Sequence, residues 1–487
     1  VNAIINCHLA TGRIGRPGMG PFSVTGQPNA MGGREVGGLA NMLAAHMDLD
    51  NPAHRANVQE FWRSPAIADK PGLKAVDLFR AVGDGRIKAL WIMATNPVDS
   101  LPQADAVRDA IKACPFVVVS DVVRHTDTTA LAHVLLPSTA WGEKDGTVTN
   151  SERRISRQRS FLSLPGEARP DWWQMAEVGR RMGYGAAFAY TRPAEIFAEH
   201  AALSGRGNSG ARDFDIGAYA RISPAAFDRL APFQWPQPAG TAPKETRFFA
   251  EGQFFTPDRR ARFVATPFNA IHNAAPMDFP LVLNTGRVRD QWHTMTRTGK
   301  AARLTAHIAE PFVEVHPADA ERFGLSAAGL AVVRSRHGSA CVRVQISTSQ
   351  QRGSVFVPIH WTDQFASSGR IDAVVQADVD PVSGQPGLKQ TYVSLAPFAA
   401  AWFAFAVSRA RPDVAGMDYW AIAPAKGGWR AEVAGSGLPA DAAGLARRWL
   451  GLTANDGHNL LSYVDRATGS CRFAAFHGEH LAGAVFF

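Results

Sequence analysis

Gln27 and Arg34 place an uncharged amide and a permanent cation in one glycine-rich stretch, Thr25-Gly26-Gln27-Pro28-Asn29-Ala30-Met31-Gly32-Gly33-Arg34-Glu35-Val36-Gly37-Gly38. A guanidinium can hold a small planar oxyanion through two parallel hydrogen bonds. A neutral amide can orient the same anion without adding negative charge. Glycines let a backbone approach a ligand closely. Downstream, Val36, Leu39, Ala40, Leu43, Ala44 and Met47 recur at helical spacing. That predicts a helix starting beside Arg34 and adding its positive N-terminal potential. The same spacing also suits a glycine turn that only caps a core helix, and spacing alone leaves both readings open.

Three further polar clusters stand out. Residues 143–154 gather Glu143, Lys144 and Asp145 before Gly146, then Asn150, Glu152, Arg153 and Arg154, the composition of a ligand loop or of a solvated one. Residues 284–297 directly follow an apolar strand and offer Thr285, Gly286, Arg287, Gln291, His293 and Thr294. Hydroxyls, a bare glycine backbone and cations make a phosphate or pyrophosphate cradle, although the run is neither a Walker loop nor a G-x-G-x-x-G fingerprint. Residues 380–386, with Lys389 beyond them, have the composition of an ordinary Pro/Gly loop. No G-x-S-x-G elbow or H-E-x-x-H motif is present, and the histidines are isolated. Nucleophilic or metal catalysis by these residues alone is excluded, so an enzyme built on them takes its reactive centre from a cofactor.

The elements that must position these residues follow from the apolar pattern. Residues 73–82 and 104–113 read as helices, while 87–93, 116–119 and 133–137 read as continuous apolar strands. Strands of that kind with helical crossovers predict a doubly wound parallel sheet. Ligands of such sheets bind beyond the strands' carboxyl ends, where Asn96 and the Ser120-Asp121 pair fall. Residues 166–230 read as helical and irregular, with a flexible stretch at 204–213, and the Pro-rich 231–238 reads as a linker. Short strands separated by turns predict a largely antiparallel barrel over 276–400, and 401–487 reads as a further α+β piece.

With 487 residues, 46% hydrophobic and 19% charged, the chain has ample core for several domains. The net charge of +8 suits an anionic ligand. Nucleic acid is disfavoured, because the basic residues are dispersed and the densest run, 153–159, lacks an aromatic platform in sequence. Cys7, Cys114, Cys341 and Cys471 are too far apart for a CxxC metal site or an iron–sulfur run, and fit reduced thiols. The run 3–6 and the closing run 484–487 both read as strands, and the chain is expected to be an internal piece of a longer protein.

In company, these motifs carry a resemblance. The segment from Thr25 to Gly37 resembles the active-site segment of the molybdopterin bis-guanine-dinucleotide oxidoreductases, specifically the nitrate reductases. Thr95-Asn96-Pro97, Ser120-Asp121, the run 143–154 and the run 285–294 recur in that family in the same order, and the lead-in 9–18 is most similar to its assimilatory branch. The resemblance implies an α/β fold: a doubly wound sheet domain, then a double-psi β-barrel, then a small α+β C-terminal module. It implies boundaries at 1–37 (the end of a cofactor-binding α/β domain), 38–165 (the α/β dinucleotide-binding domain), 166–275 (a helical connection), 276–400 (the barrel) and 401–487 (an incomplete reductase-like module). The pattern 472–484 is itself similar to the C-terminal module of NAD(P)H-dependent flavoprotein reductases.

By the same resemblance, Gln27 and Arg34 line the substrate pocket beside molybdenum. Asn96, Ser120, Asp121, Lys144 and Asp171 hold one guanine dinucleotide, while Thr285, Gly286, Arg287, Gln291, His293 and Thr294, with Trp361 and Lys389, bind the pterin dinucleotides from the barrel side. The implied cofactor is molybdenum bis(molybdopterin guanine dinucleotide), with a [4Fe-4S] cluster and the molybdenum-ligating residue upstream of Val1 and a [2Fe-2S] cluster beyond the C-terminus in some relatives. No metal ligand is assigned within the chain, which alone is expected to be inactive. The implied activity is cytoplasmic reduction of nitrate to nitrite by oxygen-atom transfer. Electrons would come from an NADH-dependent flavoprotein reductase or a ferredoxin or flavodoxin, with no nucleic acid and no membrane span. A formate dehydrogenase of the same family and a non-catalytic electron-transfer scaffold are the alternatives. A scaffold has no need of Gln27, Arg34 or the dinucleotide cradles.

Overall fold

A computed structural model describes residues 1–267, 275–453 and 459–487. They divide into two compact units, Val1–Lys74 with Pro137–Ile271, and Ala75–Leu136 with His272–Phe487. The expected boundary at 275 adjoins residues 268–274, which lie outside the described residues.

The first unit is held by a core of Met47, Val58, Ile155, Phe197, Leu203, Phe214, Phe227 and Trp235. Around it stand the helices Asn2–Ala10, Ala30–Glu35, Pro52–Trp62, Asp171–Gly179 and Pro193–Gly205. Pro52 opens its helix where a backbone donor is not needed, and the Asn51 side chain caps it by accepting from Ala53 N at 2.9 Å. The run 143–154 is a structured hairpin and not an open loop. Gly146–Thr149 and Arg154–Gln158 form an antiparallel hairpin, and its turn is closed by the Asn150 side chain accepting from Glu152 N and Arg154 N, each at 3.0 Å.

Three expectations are corrected in this unit. Residues 3–6 lie in the helix Asn2–Ala10, where the backbone satisfies its own hydrogen bonds without needing a strand partner. The segment 231–238 is not a linker: Phe233–Gln234 pairs with the hairpin and Trp235 is 1% exposed in the core. The stretch 204–213 is pinned, since the Arg212 guanidinium donates to the carbonyls of Ser204 and Arg206, each at 3.0 Å.

In the second unit, Ala89–Met93 and Phe116–Asp121 pair in parallel, with Ala89 opposite Phe116 and Met93 opposite Ser120. Val134–Pro137 completes a three-stranded sheet, and Ala75–Gly83 and Ala104–Ala113 pack through Val82, Val107 and Ile111. The barrel is closed and six-stranded, in the order Ser339–Ile346, Phe312–Val315, Ser354–Pro358, Leu281–Gly286, Thr391–Pro397, Leu330–Arg334. Two of its pairings are parallel and four antiparallel. Along Leu281–Gly286 the buried residues alternate, Leu281, Leu283 and Thr285 facing inward as a strand's period of two requires. Arg370 ties the sheet layer to the barrel by donating to Val98 O at 3.0 Å, to Asp105 at 2.6 Å and to Asp363 at 2.9 Å. The remaining residues build a six-stranded antiparallel sheet covered by the helix Ala442–Trp449, with Trp449 fully buried against it.

Candidate functional site

Gln27 and Arg34 are both exposed, and among the described residues neither side chain has a hydrogen-bond or ion-pair partner. The helix expected after Arg34 does not form. Arg34 instead lies in the last turn of the short helix Ala30–Glu35, so it acts as a cation without a helix N-terminus behind it. The reason is the glycine pair. Gly38 N donates to Gly33 O at 2.8 Å, and Gly37, at φ +75°, closes the helix. The chain then folds back so tightly that a Cβ on Gly37 would stand 2.6 Å from Ala44 N. Ala44, Ala45 and Met47 are buried by that fold-back, whereas Val36 and Leu39 stay exposed. The apparent helical period therefore comes from a compact turn.

Also in the first unit, Lys144 Nζ and the Asp171 carboxylate form an ion pair at 2.5 Å. Asp171 opens the helix Asp171–Gly179, and its Oδ1, like the hydroxyl of fully buried Thr139, has no partner among the described residues.

In the second unit the strand ends carry the expected residues. Asn96 is buried and its Oδ1 accepts from the Thr128 hydroxyl. Ser120 is fully buried and accepts from the Trp91 indole N–H at 2.8 Å. Asp121 follows it at the strand's end and accepts from Val123 N at 2.9 Å. Burial pushes its carboxyl above the ordinary range, opposed by backbone N–H groups and by Arg297.

The barrel loop is the most constrained part of the candidate site. The Thr285 hydroxyl donates to Leu388 O at 2.7 Å, and Lys389 Nζ donates to Thr285 O. Gly286 is tightly enclosed: a Cβ there would lie 2.6 Å from the Phe356 ring, which would have to move. Arg287 is exposed. Gln291 is buried, donating to Leu304 O at 3.4 Å while its Oε1 has no partner. Thr294 is buried, and so is Trp361, whose Nε1 is likewise without a partner. Burial lowers the Lys389 ammonium, with Asp372 opposing, and pushes the fully buried Asp372 carboxyl up to about 7.

One residue of this loop's support escapes sequence reasoning. His360 is fully buried, its Nδ1–H donates to His293 O at 2.6 Å, and its Nε2 accepts from Val288 N at 3.0 Å. Only the neutral ring does both, and burial pushes it down to about 4. The strand-end rule that selected Asn96 would also have selected His360, which follows the strand Ser354–Pro358, parallel to Leu281–Gly286.

Gln27, Arg34, Lys144 and Asp171 thus belong to the first unit and the other site residues to the second. Among the described residues no group of three or more His, Cys, Asp or Glu side chains is placed to hold a metal ion. Buried polar groups ordinarily find partners, yet among the described residues Thr139 Oγ1 and Asp171 Oδ1 in the first unit, and Gln291 Oε1 and Trp361 Nε1 in the second, have none. Within the second unit, an α/β sheet and a closed barrel carry a loop region with one unpaired buried acceptor and one unpaired buried donor, features that suit a large polar ligand.

Residues 1–181 match the family model for molybdopterin oxidoreductase, and residues 281–392 the molydopterin dinucleotide binding domain. The chain belongs to the molybdopterin oxidoreductases. It is 51% identical over 426 residues to a nitrate reductase of Klebsiella oxytoca, covering 88% of this chain and 48% of that protein. It is 32% identical over 405 residues to the assimilatory nitrate reductase catalytic subunit of Bacillus subtilis, covering 82% and 54%. The chain spans about half the length of the curated relatives it matches. Its fold is similar to that of acetylene hydratase from Pelobacter acetylenicus, with a TM-score of 0.51 and 17% identity over 66% of this chain and 46% of that one.

Proposed function

We propose that this chain is the substrate-facing and dinucleotide-binding part of a molybdenum-dependent nitrate reductase, which converts nitrate, two protons and two electrons to nitrite and water. The observation that carries the reading is the segment 25–38: two exposed polar side chains without partners among the described residues, Gln27 ahead of the helix Ala30–Glu35 and Arg34 within it, where the backbone from Asn29 to Gly38 is hydrogen-bonded. Support comes from relatives named nitrate reductase at up to 51% identity. The guanidinium of Arg34 can grip two oxygens of planar nitrate and leave the third free. Gln27, being neutral, orients the anion without repelling it.

Molybdenum bis(molybdopterin guanine dinucleotide), when bound, supplies the oxygen-atom and electron chemistry. The chain's part is to hold it. Thr285, Gly286, Arg287, His293, Thr294 and Lys389 offer hydroxyl, backbone and cationic groups to pyrophosphate. Gln291 Oε1 and Trp361 Nε1–H give one free acceptor and one free donor. Asp121, with Asn96 and Ser120 beside it, is suited to accept from the N–H groups of a guanine edge. Lys144 and Asp171 supply a cation and a carboxylate that can open from each other toward a nucleotide.

The same reading takes in a [4Fe-4S] cluster, an NADH-dependent flavoprotein or a ferredoxin or flavodoxin as donor, and a cytoplasmic setting. Among the described residues no helix is long and apolar enough to cross a membrane. The test is molybdenum content together with reduced-viologen turnover of nitrate and of formate by the full-length protein. Formate turnover without nitrate turnover would replace the substrate, and absence of molybdenum would end the enzyme reading.

A further inference from the structure

The substrate segment ends on a buried acid. Glu35 closes the helix Ala30–Glu35 and is 3% exposed, although its neighbour Arg34 is exposed. One carboxylate oxygen accepts from the Trp235 indole N–H at 2.7 Å and the other from the Thr149 hydroxyl at 2.8 Å. A six-residue helix has too few internal hydrogen bonds to hold itself. Two more ties act on the same short segment. Thr149 N donates to the Asn29 side chain at 2.9 Å, and Ala45 N donates to Glu35 O at 2.7 Å. The Asn29 amide lies across Gly32, where an added Cβ would fall 2.1 Å from it, so this tie needs glycine.

The receiving end is closely packed. Trp235 sits edge-on to Phe214 at 5.2 Å and to His46 at 5.7 Å, and Arg153 donates to its carbonyl at 2.6 Å. Thr149 stands in the hairpin strand Gly146–Thr149.

We propose that Glu35 is the positioning residue of the substrate segment: its carboxylate, bound by Trp235 and Thr149, fixes the helix Ala30–Glu35 and so sets where Arg34 and Gln27 meet the anion. The proposal rests on the reading of Gln27 and Arg34 as substrate-facing. A carboxylate is the side chain that suits this place. Indole N–H can only donate, and two acceptor oxygens serve both partners at once. A glutamine would keep one acceptor and turn an NH2 group toward a donor. Burial raises the Glu35 carboxyl, while Thr149, Trp235 and His46 oppose that and Asp213, paired with His46 at 2.8 Å, adds to it. Misplacing a reacting group by about 1 Å can cost on the order of a hundredfold in rate.

The test uses the full-length, molybdenum-loaded protein, with KM and kcat for nitrate measured separately under reduced viologen. Glu35→Gln and Thr149→Val are each expected to raise nitrate KM about tenfold, the equilibrium equivalent of one lost hydrogen bond to a charged group. Thr149→Ser, which restores the hydroxyl, should return KM to near the parent value. The Thr149 pair decides the matter should Glu35→Gln fail to fold, because Val matches Thr in shape. Folded, molybdenum-loaded Glu35→Gln or Thr149→Val protein with unchanged KM and kcat overturns the proposal. Arg34→Ala is assayed alongside. If it alone impairs nitrate use, the substrate reading stands and the Glu35 proposal falls. If Arg34→Ala is also silent, the substrate reading itself fails.

Discussion

Replacing His360 with leucine removes a side chain that holds two backbone groups of the barrel loop. Val288 N–H loses its acceptor at 3.0 Å and His293 C=O its donor at 2.6 Å, both from a fully buried ring. A buried group left without its partner costs about 1–3 kcal/mol, and water can reach part of this loop, so the expected loss of stability is about 2–4 kcal/mol. His360→Gln keeps one donor and one acceptor and should lose under about 1.5 kcal/mol. The pH dependence gives a second, independent figure. Burial pushes His360 from the ordinary 6.5 down to about 4, so the fold holds the ring neutral. That stability is present above pH 6.5 and is lost as pH falls toward 4. A displacement of that size corresponds to about 3 kcal/mol. The assay is chemical unfolding from pH 7.5 to 4.5, with hydrogen exchange followed at the Val288 amide and at the Ile359 amide, which bonds Gly286 O at 2.9 Å, as the internal reference. Leucine should speed exchange at Val288 and not at Ile359, and both variants should flatten the acid limb. Unchanged Val288 exchange, or a leucine variant with the parent's stability, would refute the clamp.

Two further outcomes follow from the same loop. Trp361→Phe keeps the buried ring and removes an N–H that has no partner in the chain, so the cofactor-free protein should be as stable as the parent or slightly more so. Retention of guanine nucleotide, measured as GMP released on acid hydrolysis of the purified protein, should nonetheless fall. Gly286→Ala forces a Cβ to within 2.6 Å of the Phe356 ring and should cost about 1–3 kcal/mol, read as a lowered unfolding midpoint.

What was legible in the sequence follows from where each signal is stored. The strands Ala89–Met93 and Phe116–Asp121 and the barrel strands are written locally, as apolar, β-branched runs between turn residues, and the strand-end rule then located Asn96, Ser120 and Asp121. The segment 36–47 misled because its period was real but its backbone is not helical. Ala45 and His46 take φ values of +59° and +52°, held by a hydrogen bond from Ala45 to Glu35 that no local pattern encodes. The Pro-rich composition of 231–238 likewise concealed Trp235, whose defining partner, Glu35, is 200 residues away. The strand-end rule reaches His360 as well, but its role does not show in sequence, because it depends on one ring tautomer between two main-chain groups of a loop, 67 and 72 residues earlier. Lys144 and Asp171 came from family resemblance, and the structure brings the two together at 2.5 Å.

The most direct measurement is nitrate turnover by the full-length, molybdenum-loaded protein and by its Arg34→Ala variant, with molybdenum and guanine nucleotide determined on both. The account predicts nitrate-dependent oxidation of reduced viologen by the parent, and its loss in Arg34→Ala with cofactor content intact. Undiminished nitrate turnover by a cofactor-replete Arg34→Ala variant would contradict it.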